Sequence, residues 1–545
     1  MTVAGGIERK ELATFTVADL AWALAAGLFV LLRLGPVWQA PVGGAELDHL
    51  SGAWQASIGT TDARFVPTFF QAICALLFQF TTSEVPARVV AFVGTASIPV
   101  AVYMLRGQLG NAGGVIALTL LAFDAPGIAL GVSASAMAFD IALAMWLFVT
   151  MARRGTSLPP WADAVAAFMV VTAGALVLPL LLAAGGLALY RRDVPSPNTL
   201  IAWGAGALLG LALTFVHYGL GVDGVAIAPI ITFEQSFERE WSGAPAMTVV
   251  AMYSIPILVG GIAALGWQVV RWRRGEVVSR ESTLLPAWFA IAAGWLVAAA
   301  GSDSTAAVVA ATTPAALLGG PALVRGIEAM IAAEWRYARI LLPIAGLSAA
   351  VATNICLEWA DRAAVGSSAE QTVVVLLYTV ALIACAAVCA ERRAIPTLVA
   401  AGLAIAAVPF AAGGFGVALS AVEEPIPAPV SPVQAAELRR IAFETLEDKG
   451  GTLVVHPDLA ESLLWPFRDS GNIQLSSRVP GDATFVVWPL GLPAPEGMVP
   501  LEGEWALLES VEPPDSLLDY VRWLSDRNEL AIIPLRVAVY TEASE

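Results

Sequence analysis

What most constrains this chain is a succession of long apolar runs, at about residues 17–38, 88–106, 112–130, 133–151, 163–176, 178–190, 199–220, 248–270, 284–301, 306–325, 340–356, 370–390 and 396–421. Most approach the roughly 20 apolar residues that a helix needs to cross a bilayer, where every backbone amide and carbonyl must be satisfied within the span. The runs are therefore read as about 13 transmembrane helices. Hydrophobic residues make up 58% of the 545 and charged residues 14%, with a mean hydropathy of +0.74, which excludes a water-soluble enzyme.

Charge placement orients the helices. Arg9 and Lys10 precede the first run and no small-residue cleavage site follows it, so an uncleaved anchor with a cytoplasmic N-terminus is expected. The apolar segment Val66 to Phe80 is short and carries Pro67 near its start. If it lies along the outer surface as an interfacial helix, Arg106, Arg153/Arg154, Arg191/Arg192, Arg271/Arg273/Arg274/Arg280, Arg336/Arg339 and Arg392/Arg393 all face the cytoplasm; if it spans, all of them flip outward. The first arrangement leaves polar stretches 39–65 and 221–247 on the outer face of a transmembrane domain covering 1–421. The second of these stretches holds Phe233, Phe237 and Trp241 among Glu234, Glu238, Arg239 and Glu240, a pattern suited to the headgroup layer.

Beyond a proline-rich linker at 422–432, residues 433–545 alternate helical and strand-like patterns, with a helix near 433–449 and strands at TLVVHP, TFVVWP, EWALLESV and LAIIPLRVAVY. This describes a small α/β domain, extracytoplasmic in the same arrangement. Residues 1–421 carry 21 basic and 24 acidic side chains, and 422–545 carry 8 and 21, so nucleic acid is excluded as a partner. Cys74, Cys356, Cys385 and Cys389 form no spaced framework, and three histidines make histidine-based metal chemistry improbable. The glycines between 204 and 210 lack the Lys and Ser or Thr of a phosphate loop and are read as close helix packing.

An anchor, an outer loop with acids in GGAELDHLSGAW, a proline-initiated helix and then SEVPARVVAFVGTASIPVAVYMLRGQLG together resemble the multi-spanning glycosyltransferases of the GT-C fold, which include protein O-mannosyltransferases and aminoarabinose transferases. The matching positions are Glu46 or Asp48, Pro67 with Phe69 and Phe70, Ser83-Glu84, Arg88 and Arg106. WPFRDSGNIQ, with Trp465, Pro466, Arg468 and Asp469, is similar to an element of a prokaryotic, flippase-associated branch. The chain departs from the pattern in four places: the common Asp-Glu pair reads Asp48-His49, the His before the Pro is Phe65 with Arg64 beside it, the arginine of the outer loop before the fourth helix is absent from GVSASAMAFD, leaving Asp140, and the Lys-Gly-Pro of two short helices reads Thr172-Ala173-Gly174.

The resemblance implies transfer of a sugar from a polyprenyl-phosphate donor to a lipid, glycan or protein acceptor at the outer face of the cytoplasmic membrane. Such transfer needs a carboxylate for the acceptor and cations for the departing phosphate. Asp48 and Glu46 are the candidate catalytic acids; the alternative is an acid that caps the helix running to Ser57. Arg64, Arg88 and Arg239 are candidate phosphate ligands, against surface ion pairing of Arg88 with Glu84 and of Arg239 with its flanking glutamates. His49 is read as a hydrogen-bonding neighbour of Asp48, and Arg33, near the outer end of the first run, as snorkelling to headgroups. Asp124 and Asp140 bracket the second outer loop, where related enzymes place an acid that helps hold a divalent ion, so Mg²⁺ or Mn²⁺ on oxygen ligands is an allowed cofactor; a polar packing contact is the other reading of Asp140.

Two other readings compete. In one the fold is kept and catalysis lost, leaving a lipid-glycan binding or assembly subunit with protein partners in a cell-envelope complex. The other is a secondary transporter, which calls for inverted repeats and midplane charges that the sequence does not display.

Overall fold

The computed structural model of this chain describes residues 16–39, 44–57, 69–81, 83–153, 161–172, 175–191, 196–215, 246–274, 280–299, 305–332, 433–459, 463, 465–470, 472–501, 503, 505–511 and 532–542, with isolated positions between 343 and 418. The expected helices 340–356, 370–390 and 396–421, the linker 422–432 and the outer stretch 221–247 lie largely or wholly outside them.

Ten of the expected helices fall on helices of the structure. In chain order these are α1 (Val17–Gln39), α2 (Gly44–Ser57), α3 (Phe69–Phe78), α4 (Val85–Ala96), α5 (Ile98–Met104), α6 (Arg106–Leu109), α7 (Asn111–Ala122), α8 (Ala125–Val132), α9 (Ala136–Arg153), α10 (Trp161–Thr172), α11 (Leu178–Arg191), α12 (Pro197–Phe215), α13 (Ile255–Arg273), α14 (Arg280–Ala298) and α15 (Thr305–Ala332), with α2, α3 and α6 outside the expected spans. Among the described residues, α1, α4 with α5, α9, α13 and α15 are each long and apolar enough to cross a membrane. The chain is a multi-pass membrane protein. α7 and α8 together are also long and apolar enough to cross, but they bend by 68° at Phe123 and Asp124, the geometry of a broken span or a re-entrant loop. The runs at 163–176 and 178–190 form helices of only 12 and 14 residues joined by a 3₁₀ turn at Ala175–Val177. At 1.5 Å per residue they reach about 18 and 21 Å, short of a full crossing.

Small residues set how closely the helices pack. α7 and α15 meet at Gly113 and Gly320, where a Cβ on Gly320 would run into the Gly113 carbonyl. Gly206 of α12 does the same against the Ala164 carbonyl of α10 and Gly210 lies against Thr172 and Phe168, the packing role expected of these glycines, whereas Gly204 meets nothing. α3 is ten residues long, about 15 Å, too short to span; it buries Phe70, Cys74 and Phe78.

The C-terminal part opens with α16 (Val433–Lys449) and continues as a sheet of β1 (Thr452–Val455), β2 (Ile473–Leu475), β3 (Ala483–Pro489), β4 (Met498–Pro500), β5 (Trp505–Val511) and β6 (Ile532–Glu542). The order is β2-β1-β3-β6-β4, with β5 also on β6; β2, β1 and β3 are parallel and β6 runs antiparallel to its neighbours. Alternation sends Leu453, Val455, Phe485, Val487, Val537 and Val539 to one face, onto Leu438 and Ala442 of α16. The same apolar cluster runs on through Phe78 and Phe70 of α3 and Leu47, Leu50 and Ala53 of α2 to Ala87 and Ala91 of α4.

Trp465 of the WPFRDS segment is the peg of this junction. Its ring lies 5.0 Å from that of Phe78, and the Arg468 guanidinium stacks on it at 4.0 Å while donating to the Trp465 carbonyl. Burial of Trp465 among these rings predicts that Trp465→Ala destabilises the domain junction by about 3–5 kcal/mol. Limited proteolysis of the purified protein then releases the α/β part faster than in the wild type; unchanged cleavage kinetics would contradict the docking role.

Candidate functional site

The acids of the first outer stretch lie on α2, which the sheet domain and the membrane helices cover between them. Glu46 stands in its first turn, where a carboxylate suits the helix N-terminus. It does not face water: its side chain and that of Arg88 are each 3% exposed, and they meet in a bidentate pair, Nε to Oε1 at 2.6 Å and Nη2 to Oε2 at 2.8 Å. Glu46 Oε1 also accepts the Ala134 backbone N–H at 3.0 Å, and Arg88 Nη1 reaches the Val37 carbonyl at 3.4 Å. The pair thus joins α2 to α4, to the end of α1 and to the turn before α9. Arg88 is not on the surface with Glu84, as the i,i+4 spacing allowed.

His49, one turn beyond Glu46, is buried with its ring edge-on to Phe70 of α3 at 6.3 Å. Phe69 and Phe70, the aromatic pair of the proline-initiated segment, carry the contact onward to Phe139 of α9, and Phe69 also meets Phe168 of α10. Asp48 lies on α2 as well, about 200° around the helix from Glu46; its side chain is outside the described residues, as are Arg64 and Arg239.

A second buried polar cluster sits at the break between α7 and α8. Here the structure corrects the sequence reading of Arg33, which is 3% exposed and does not reach headgroups. Its Nη2 donates to the Leu121 carbonyl at 3.0 Å and its Nη1 to Phe29 and, at 3.5 Å, to Ala122, so the guanidinium caps the carbonyls left over where α7 stops. The bend creates those orphan acceptors, and they hold the charge inside. Asp124, at the N-cap of α8, accepts from the Thr312 hydroxyl of α15 at 2.9 Å. Gly127 lets the two charges approach: a Cβ there would come 2.9 Å from Asp124 Oδ2 and 3.5 Å from Arg33 Nη2. Arg33 and Asp124 both line a cavity of about 20 Å³, the room of roughly one water. Arg33 Nε and Asp124 Oδ1 have no hydrogen-bond partner among the described residues.

One segment connects the two clusters. α8 is gripped at its start by Asp124 and Thr312, along its length by Arg33 beside Gly127 and Gly131, and just past its end by Glu46 on Ala134. Asp140 is buried in the second turn of α9, in a different element from Asp124. Among the described residues, no three His, Cys, Asp or Glu side chains gather as metal ligands.

Two solved structures share this architecture along nearly the whole chain. ArnT from Cupriavidus metallidurans bound to undecaprenyl phosphate superposes with a TM-score of 0.52 at 13% identity, over 98% of this chain and 99% of that one. The apo state of the same ArnT gives 0.50 at 12% identity, over 96% and 98%. No protein-family model matches the chain, and no curated protein matches it in sequence. The fold is therefore that of ArnT, and at 98% coverage of this chain the match takes in the C-terminal sheet.

The Glu46–Arg88 geometry makes a specific demand on mutants. Removing either partner alone strands a buried charge and costs about 3–5 kcal/mol. Joint replacement by apolar residues, Glu46→Leu with Arg88→Met, removes both charges and is expected to cost less than either Glu46→Leu or Arg88→Met. Thermal unfolding of the three variants in detergent measures this; losses that simply add would mean the two side chains do not depend on each other.

Proposed function

We propose that this protein is a membrane glycosyltransferase that takes a sugar from a polyprenyl-phosphate donor and passes it to a lipid, glycan or protein acceptor at the outer face of the cytoplasmic membrane. The observation that carries the reading is the whole-length likeness to ArnT, one of whose structures holds undecaprenyl phosphate. The orientation follows from the arginines at the helix ends away from the sheet domain, which the positive-inside rule assigns to the cytoplasm.

In this reading Asp48 and Glu46 have different duties. Glu46 has three acceptor positions engaged by Arg88 and the Ala134 amide and is closed to an incoming acceptor, which suits a positioning residue. Asp48 is then the catalytic base. The acceptor oxygen attacks the anomeric carbon as its proton passes to the Asp48 carboxylate, and the bond from that carbon to the phosphate oxygen breaks with its electron pair leaving on the lipid phosphate. Arg64 and Arg239, outside the described residues, are the cations proposed to offset that charge. No step is assigned to Mg²⁺ or Mn²⁺, because Arg33 already brings positive charge to Asp124, and Asp140 belongs to another element.

The second reading, a lipid-glycan binding or assembly subunit without turnover, is favoured by one observation: the acid and the arginine that transfer would use are paired with each other. A combined binding and transfer assay separates the two. Purified wild type should retain added undecaprenyl phosphate in native mass spectrometry and consume an undecaprenyl-phosphate sugar from a panel of hexose, pentose and amino-sugar donors. Asp48→Asn should keep the lipid and lose about 10²- to 10⁴-fold of the transfer rate. Retention without transfer by the wild type would favour the subunit reading; neither retention nor transfer would overturn both.

A further inference from the structure

The face of the membrane domain opposite the sheet carries a cleft that the transfer reading does not use. α4 with α5 starts beside the Glu46–Arg88 pair and ends at Tyr103 and Met104, with Arg106 opening α6 just beyond; α9 starts just past Ala134 and ends at Arg153. Each run covers roughly 25 Å of rise, so both arginines arrive together at the far surface. There they line a cleft of about 470 Å³ with Tyr103, Met104, Gly107, Gln108 and Ala152.

The cleft is held in shape. Trp22 of α1 packs edge-on against Tyr103 at 5.2 Å and fixes the ring. Arg106 hydrogen-bonds the Tyr103 hydroxyl and stacks its guanidinium 4.3 Å from the ring centroid, which sets its direction before any ligand arrives. Gln108 closes the floor by donating to the Ala152 carbonyl at 3.3 Å. The charge around it is one-sided: Arg106, Arg153, Arg191, Arg271, Arg273 and Arg274 stand at helix ends and Arg325 lies late in α15, against Asp19, Asp163 and Glu328 among the described residues. Asp19, which lies within electrostatic reach of Arg106, has its carboxylate engaged by the Thr16 amide and hydroxyl.

We propose that this cleft binds the headgroup phosphate of an anionic phospholipid from the adjoining leaflet, between Arg106 and Arg153. A phosphodiester offers paired oxygens to two guanidiniums. The side of α4 and α5 leading away from the cleft exposes Val93 and Val100, apolar residues suited to acyl chains, which favours a lipid over a free phosphate ion. The site is independent of the sugar chemistry and lies at the other surface of the membrane.

The test uses the full chain in neutral detergent, with phosphatidylglycerol, phosphatidylcholine or inorganic phosphate added, read by thermal unfolding and by lipid adducts in native mass spectrometry. Phosphatidylglycerol should stabilise the wild type and persist as an adduct, with phosphatidylcholine and inorganic phosphate doing neither. Arg106→Gln and Arg153→Gln should each weaken phosphatidylglycerol binding about fivefold. Equal retention of both phospholipids by the wild type would overturn the proposal without recourse to any variant. So would undiminished phosphatidylglycerol preference in the double variant, or stabilisation by inorganic phosphate alone.

Discussion

The arrangement of the half of the membrane domain nearest the sheet depends on one buried ion pair. Glu46 and Arg88 are withdrawn from water at a cost that only close, bidentate geometry and further hydrogen bonds can offset, and the structure supplies both. Because the partners come from α2 and α4, and the carboxylate also takes the amide ahead of α9, a single electrostatic contact fixes three elements in mutual register. The apolar cluster shared by α2, α3, α4 and the sheet then closes over it. A carboxylate so enclosed makes a good strut and a poor proton acceptor for a substrate, which is why the proposed function gives the role of base to its neighbour Asp48.

The broken helix beside it follows similar physics. A 68° bend inside a membrane domain leaves carbonyls without partners at the end of α7, and hydrocarbon offers none. Arg33 meets that need from α1, while Asp124 starts the next helix and ties it to Thr312. The segment between them ends at the amide bound to Glu46, so the bend and the ion pair are two supports of one piece of backbone.

Much of this was legible in the sequence, and the rest was hidden for identifiable reasons. Apolar runs announce spans because hydrocarbon tolerates little else, and ten of the expected helices fall on described ones. The helix at 433–449 and four strands of the sheet followed from periodicity; β2 and β4, three residues each, are too short to show a pattern. That Glu46 and Arg88 both matter was visible from the acids after the first anchor and from the family-like segment around Ser83-Glu84. That they touch was not, since 42 residues separate them along the chain and nothing local encodes the meeting. Arg33 was misjudged because snorkelling is the ordinary fate of an arginine near a helix end. The carbonyls that detain it, of Leu121 and Ala122 just ahead of the bend, lie about 90 residues away. WPFRDS stood out as a motif, but only the fold reveals that its tryptophan docks on Phe78.

The account makes Glu46 and Arg88 a permanent brace around which lipid-phosphate chemistry is arranged, and its most direct test is an experimental map at side-chain resolution of the protein in lipid nanodiscs with undecaprenyl phosphate added. The expected result is an intact Glu46–Arg88 pair, with phosphate density on the Asp48 side of α2. Phosphate density seated on Arg88 itself, with Glu46 displaced from it, would contradict the brace and return both residues to the substrate.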